Sequence, residues 1–171
     1  MKYSIWFVPN KNSDLYERLD SIVRDLAAKY NAPYFVPHIS IITNIEDTKE
    51  GIISKTEQLA QSLNSFEFTL DEIDYTDYYF QTLVVRVKFS PVLSEANKLA
   101  RKIFNKHSDT LFVPHISLIY KDGMDESDKK KIQTELNDLV GTIWQQASVS
   151  VYTSTEDISH WEEIKTTNFD K

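Results

Sequence analysis

The hexamer Phe35-Val36-Pro37-His38-Ile39-Ser40 recurs without change as Phe112-Val113-Pro114-His115-Ile116-Ser117, 77 residues further on. Each copy holds an imidazole and a hydroxyl two positions apart. In an extended strand positions i and i+2 share a face, so His38 points with Ser40 and His115 with Ser117, while Ile39 and Ile116 face the other way. Two such strands, brought together about a pseudo-twofold axis, surround one point with two imidazoles and two hydroxyls. That set suits phosphate esters. One neutral imidazole takes a proton from water, and the other, protonated, gives one to the leaving oxygen. Imidazole titrates near neutrality, so both forms are accessible at pH 7. The Ser40 and Ser117 hydroxyls donate hydrogen bonds to phosphate oxygens whose charge grows in the transition state. A shared acid–base mechanism requires the two imidazoles to lie within about 10 Å of each other, since both must reach one substrate.

The rest of the chain must supply that placement, and its pattern is duplicated too. Tyr3 to Val8 reads as a strand. Leu15, Leu19, Ile22, Val23 and Leu26 follow at helical spacing, with Ser13 and Asp14 as capping residues. The His38 segment reads as a strand, Ile52, Thr56, Leu59, Ala60 and Leu63 as a helix, and Phe66, Phe68 and Leu70 as a half-buried strand. The second half repeats this order. Leu83, Val85, Val87 and Phe89 alternate. Ser90-Pro91 starts a helix carrying Leu93, Ala96, Leu99, Ala100 and Ile103. His115 to Tyr120 is the matching strand. Ile132, Leu136 and Leu139 mark a helix, and Ile143 to Tyr152 one further strand. The tail holds Trp161 and Ile164 and adds a short strand. An α+β fold is expected, as a single domain of two pseudo-symmetric strand–helix–strand–helix–strand lobes. The first spans about residues 1–78 and the second about 79–171, with the tail free to return to either. No linker rich in Gly, Pro or Ser separates the halves.

Composition narrows the function. The chain has 171 residues, 41% hydrophobic and 26% charged, the balance of a globular domain. No apolar run approaches the roughly 18 residues that span a bilayer, so no membrane partner is expected. Met1 to Asn10 holds one early lysine and no small-residue cleavage site, so no signal peptide is read and a cytoplasmic location is the expectation. With no cysteine, thiolate catalysis and disulfides are excluded. A net charge of −7 argues against binding long nucleic acid, which depends on Lys and Arg displacing counterions.

The paired H-x-S motifs resemble the signature of the two-histidine phosphoesterase superfamily. Within it the chain is most similar to the cyclic phosphodiesterases of fungi and plants, which carry an aromatic residue in the first strand, here Trp6. Their second motif has the form H-x-S-L-x-Y, here His115-Ile116-Ser117-Leu118-Ile119-Tyr120. A late Ser-Thr-Glu stretch at Ser154 to Glu156 fits as well. The first motif departs from the usual pattern in ending on Ser40 rather than threonine, which keeps the hydroxyl. The resemblance implies lobes of mostly antiparallel sheet around a central cleft, with helices outside. It implies hydrolysis of a cyclic phosphate, either ADP-ribose 1″,2″-cyclic phosphate or a nucleoside 2′,3′-cyclic phosphate, the latter to the 2′-phosphate. His38 and His115 would be acid and base, and Ser40 and Ser117 would hold the phosphate. Tyr120 would bind phosphate or a bridging water, and Trp6 would stack on the base. No cofactor and no metal are expected, the partner is a small cyclic phosphate, and the chain is expected to be a monomer.

Several residues carry competing readings. In an ideal strand Tyr120, five positions after His115, faces away from it, and reaches the cleft only where the strand bends or ends. Arg86 is a phosphate ligand or a solvated charge. Tyr75, Tyr78 and Tyr79 cluster in a polar loop that lines the cleft or covers an edge. His107 and His160 lack duplicated context and read as surface residues. Three other functions stand against the first: a relative acting on RNA ends or cyclic oligonucleotides, a non-catalytic nucleotide binder, and a metal hydrolase. The last lacks a ligand motif such as H-E-x-x-H.

Overall fold

The computed structural model describes residues 1–107 and 111–170. The strands are β1 (Lys2–Phe7), β2 (Ile39–Glu46), β3 (Phe66–Tyr75), β4 (Leu83–Val87), β5 (His115–Ile119), β6 (Ile143–Gln146), β7 (Ser148–Thr153) and β8 (Glu163–Asn168). The helices are α1 (Asp14–Tyr30), α2 (Lys49–Gln61), α3 (Pro91–Ile103) and α4 (Glu126–Glu135). The strands form one antiparallel sheet in the order β6-β3-β4-β5-β2-β1-β7-β8. The α+β class is the one read from the sequence, and the antiparallel pairing with helices outside is what the resemblance implied.

The helices begin where local chemistry allows. Ser13 caps α1 by accepting from the Tyr16 amide, and Asn31 ends it in the left-handed region at φ 50°. Thr48 caps α2 in the same way, by accepting from the Gly51 amide. Pro91 opens α3, where its missing N–H is no loss. The helices bury their apolar stripes against one face of the sheet, where Ile5, Phe7, Ile39, Phe68, Leu70, Val85 and Ile116 join the main core. Packing crosses between the repeats: α1 lies on β5 and α3 lies on β2. Each copy of the motif is therefore supported by the other copy's helix.

Two expectations are corrected. The stretch from Ile143 to Tyr152 is two strands, with β6 at one edge of the sheet beside β3, and β7 near the other between β1 and β8. The burial pattern changes at Ala147: β6 buries alternate residues, Trp144 and Gln146, whereas β7 is buried on both faces from Val149 to Thr153. Gln146 braces the break by donating to the carbonyls of Val8 and Ser148. Secondly, the midline of the sheet does not follow a cut near residue 78. β3 pairs with β4 and β6, in the half that holds the second motif, while β7 and β8 return beside β1 in the half that holds the first.

The halves meet where β2 pairs with β5, in register at Ile39 and Ile116. Both side chains are fully buried. Replacing Ile116 with Ala is expected to remove about 2–5 kcal/mol of stability, the scale for truncating a buried isoleucine. Urea unfolding should show a lower midpoint at an unchanged slope. A midpoint equal to wild type would show that this seam does not hold the halves together.

Candidate active site

Continuing the Ile39–Ile116 register one residue each way sets His38 opposite Ser117 and Ser40 opposite His115. Directly opposed residues share a face, so the four side chains form a rectangle with the imidazoles on one diagonal. Diagonal neighbours on a sheet stand about 7–8 Å apart, a span that one phosphate group bridges. All four line a cleft of about 380 Å³ on the face away from the helices, together with Ser4, Trp6, Thr43, Asn44, Tyr78, Phe80, Gln81, Tyr120, Ser154, Thr155 and Trp161. A larger depression of about 830 Å³ lies between the start of α1 and β6, but neither motif lines it, so chemistry rather than size picks out the site.

Each imidazole is oriented by its own backbone. His38 Nδ1 lies 2.6 Å from the Val36 carbonyl, and His115 Nδ1 lies 2.9 Å from the Val113 carbonyl. A carbonyl only accepts, so Nδ1 carries the hydrogen in both rings and Nε2 is left to exchange protons. Burial disfavours the charged form of each ring. His38, fully buried, is pushed down to about 4, with the Val36 hydrogen bond opposing and His115 adding to the shift. His115 is only partly covered and is also lowered, by burial and by the Arg86 guanidinium. The two rings are thus unequal despite their identical hexamers.

Trp6 is a correction. Its ring lies flat on His38, with centroids 3.6 Å apart and planes 11° apart, and Tyr152 covers its other face at 4.2 Å. At 2% exposure the indole has no free face for a base. It stands as a wall between His38 and Tyr152. The aromatic residues open to the cleft are Trp161, Tyr78 and Phe80, the last two 59% and 43% exposed. Trp161 is held by its indole N–H donating to the Thr155 carbonyl at 2.9 Å. Nothing local in the sequence marks Trp161 or Phe80 as cleft residues, since both sit in short turns outside the repeated elements.

Tyr120 does enter the cleft, and a β-bulge is the reason. Val84 pairs with Ser117 and Leu83 with Ile119, so Leu118 is an extra residue on β5. The insertion reverses the alternation, and Tyr120 emerges on the face of His115. Position 41 of β2 repeats the device: Trp6 pairs with Ser40 and Ile5 with Ile42, so Ile41 is extra and Thr43 turns into the cleft. Tyr120 stacks on Phe35 at 3.8 Å, and burial pushes its hydroxyl pKa up, so it stays a donor beside Ser117. Ser117 donates to the Phe80 carbonyl at 2.8 Å, which ties the loop before β4 to the site. Buried Lys129 holds the same loop through the Thr76 carbonyl and Asp77.

Arg86 lies across from His115 in the β4–β5 ladder. Its Nε and Nη2 both donate to one Asp74 oxygen, at 3.0 and 2.8 Å, and its Nη1 reaches Gln81 at 3.4 Å. It is held by Asp74, is only partly exposed, and is not among the residues lining the cleft. His107 and His160 are exposed, and neither is among the residues that line the cleft. Among the described residues, no group of three or more His, Cys, Asp or Glu side chains is placed to hold a metal ion. Nor is any helix among them long and apolar enough to cross a membrane.

A wall that fixes a catalytic ring and a platform that binds a base respond differently to mutation. Trp6→Ala is expected to lower kcat by about a hundredfold with little change in KM, the scale for losing alignment of a reacting group. Trp6→Phe should restore most of it. A rise in KM at unchanged kcat would instead make Trp6 a base platform.

The geometry has counterparts. The chain matches the family described as cyclic phosphodiesterase-like protein over residues 1–169. It is 24% identical to the cyclic phosphodiesterase of Arabidopsis thaliana, over 97% of this chain and 94% of that one. Among solved structures, TT0787 of Thermus thermophilus superposes with a TM-score of 0.67 at 12% identity, and LigT of E. coli in apo form with 0.62 at 14%. Each comparison covers 99% of this chain and 98% of the other. LigT complexed with 3′-AMP matches with a TM-score of 0.61 at 12% identity, over 99% of this chain and 98% of that one. These structural likenesses establish a shared fold. With the match along nearly its whole length, the chain belongs to the cyclic phosphodiesterase-like family of two-histidine phosphoesterases.

Proposed function

We propose that this phosphodiesterase opens small cyclic phosphates, with ADP-ribose 1″,2″-cyclic phosphate and nucleoside 2′,3′-cyclic phosphates as the substrate class, by acid–base catalysis between His38 and His115 without a metal. The observation that carries this reading is the rectangle of His38, Ser117, His115 and Ser40 across the β2–β5 seam. Its inequality supports a division of roles. His38, the more deeply buried ring, stays neutral at pH 7 and serves as base. His115, nearer the opening, gains its proton when the negative phosphate binds beside it, and serves as acid.

In the step proposed, His38 Nε2 takes a proton from water as the water oxygen bonds to phosphorus. The bond from phosphorus to the ribose 3′-oxygen breaks on the opposite side, and that oxygen receives the His115 proton. The product is the 2′-phosphate. Both rings end with their protonation exchanged, and solvent restores them. Ser40 and Tyr120 are donors for the non-bridging oxygens. Ser117 joins them when its hydroxyl swings from the Phe80 carbonyl. The base rests against Trp161 and Phe80, the half-open aromatic residues of the cleft.

His38→Ala and His115→Ala are each expected to lower kcat on a 2′,3′-cyclic nucleotide by about a hundredfold or more. The double variant should lose far less than the product of the two, because the pair acts as a unit. Near-wild-type turnover in either single variant would refute the pairing. Phosphorus NMR should show only the 2′-phosphate, and a 3′-phosphate or a mixture would reverse the assignment of leaving oxygen.

The pH profile follows from the same inequality. The base works only when deprotonated, so kcat/KM should rise as pH climbs past about 4, where His38 loses its proton. The acid works only when protonated, and His115 in the free enzyme titrates below its usual 6.5, so kcat/KM should already be falling above pH 6.5. The bell for kcat should lie further to the alkaline side, since bound phosphate raises the acid's pKa. A flat kcat/KM from pH 4 to 8 would sink the assignment. A chelator should leave turnover unchanged, and loss of activity restored by one divalent ion would show that a metal takes part.

A further inference from the structure

Arg86 does not line the cleft, but a residue that does line it is held by Arg86. Two arms of the guanidinium, Nε and Nη2, are committed to Asp74 Oδ2 at 3.0 and 2.8 Å, which fixes its plane. The third arm, Nη1, meets the Gln81 carboxamide at 3.4 Å. A guanidinium has donors only, so the atom it meets is Oε1. The reversed amide would set N–H against N–H. Nε2 and its two hydrogens therefore face away from Arg86. Gln81 lines the cleft, and Arg86 stands across from His115 in the β4–β5 ladder.

The Gln81 backbone is fixed as well. Its N–H donates to the Tyr78 carbonyl at 2.8 Å, and its carbonyl accepts from the Thr76 hydroxyl at 2.9 Å. Lys129 holds Thr76 in turn, donating to its carbonyl at 2.9 Å. Thr82, the next residue, is buried and donates to the Tyr79 and Lys121 carbonyls. Among the described residues, the N–H, the carbonyl and Oε1 of Gln81 have protein partners and Nε2 has none. The arrangement belongs to one half of the repeat. At the offset of 77 residues Gln81 corresponds to Ser4, which lines the same cleft and is hydrogen-bonded to Ser154. Arg86 corresponds to Pro9, which has no side-chain donor. One side of the cleft thus has a short hydroxyl and the other a longer amide with a set orientation. An N–H donor fixed before the ligand arrives loses little freedom on binding, and it bonds most strongly to an anionic oxygen.

We propose that Gln81 is a further phosphate-binding residue, presenting Nε2 to a non-bridging oxygen on the His115 side of the cleft, and that Arg86 is the positioning residue that keeps its amide so turned. This rests on the reading of the cleft given above. It adds an amide to the hydroxyl donors of Ser40 and Tyr120, and it gives the Asp74–Arg86 pair a task beyond tying β3 to β4.

The test separates binding from turnover. Gln81→Met keeps the length of the side chain and removes the donor. Its Kd for inorganic phosphate, read by NMR titration, is expected to rise about tenfold, the scale of a hydrogen bond to a charged group. Its kcat/KM on adenosine 2′,3′-cyclic phosphate should fall at least as far. Gln81→Glu keeps the contact with Arg86 as an ion pair, so the loop stays held, and should lose more, because a carboxylate repels the phosphate. In an Arg86→Met background the amide is no longer held, and Gln81→Met should then raise the phosphate Kd by less than about threefold, the non-additivity of residues that act together. A phosphate Kd equal to wild type in both Gln81 variants would overturn the contact. So would a fall in kcat/KM at unchanged phosphate Kd, which would put Gln81 on the ribose or the base. An equal effect of Gln81→Met with and without Arg86 would overturn the positioning role. The titration needs no turnover: a wild type that binds phosphate through Gln81 yet opens no cyclic phosphate would refute the catalytic reading and leave the contact standing.

Discussion

The pairing of Ile39 with Ile116 is the contact on which the site is built. Two short strands from opposite halves of the chain meet in antiparallel register, and both isoleucines drive into the core beneath. Because side chains alternate with a period of two, fixing these two residues downward fixes His38, Ser40, His115 and Ser117 upward. A slip of one residue would turn these histidines and serines into the core and the two isoleucines into the cleft. The hydrophobic effect thus sets the register of the two His/Ser pairs.

Support for this seam is reciprocal. Helix α1 packs on β5 and α3 on β2, so neither motif strand is held by its own repeat alone. The bulges at Ile41 and Leu118 sit in equivalent places and have the same effect, ending the alternation so that Thr43 and Tyr120 can close the cleft. On β2 the bulge is anchored from outside by Asn97 and Lys106, and Asn44 takes the left-handed conformation there at φ 55°. A side chain such as asparagine adopts that conformation at little strain.

Duplication gives two equal His/Ser pairs, and the acid–base division proposed for them requires them to differ. The difference comes from surroundings rather than from the motifs. His38 is sealed under Trp6 and Phe35, while His115 lies nearer the opening beside Arg86. Desolvation of one imidazole more than the other is enough to separate a base from an acid, since it acts on the charged form alone.

The sequence by itself determined the duplicated elements, the two His/Ser pairs and the face they share, because hydrophobic period and an identical hexamer are local properties. It also placed the caps of α1 and the start of α3, where single residues satisfy orphaned backbone groups. Tertiary structure decided what depends on distant chain. Ile143 to Tyr152 read as one strand because its composition is uniformly strand-like, and only the sheet order shows its two parts on different neighbours. Trp6 was legible as a cleft residue but not as a wall under His38, since that role needs Tyr152, far along the chain, against its other face. Tyr120 could not be assigned to a face from spacing, because a bulge is a property of the strand pair and not of one strand. Trp161 and Phe80 were hidden for a like reason: each lies in a turn, and a turn residue reaches a site only through the elements that carry it there.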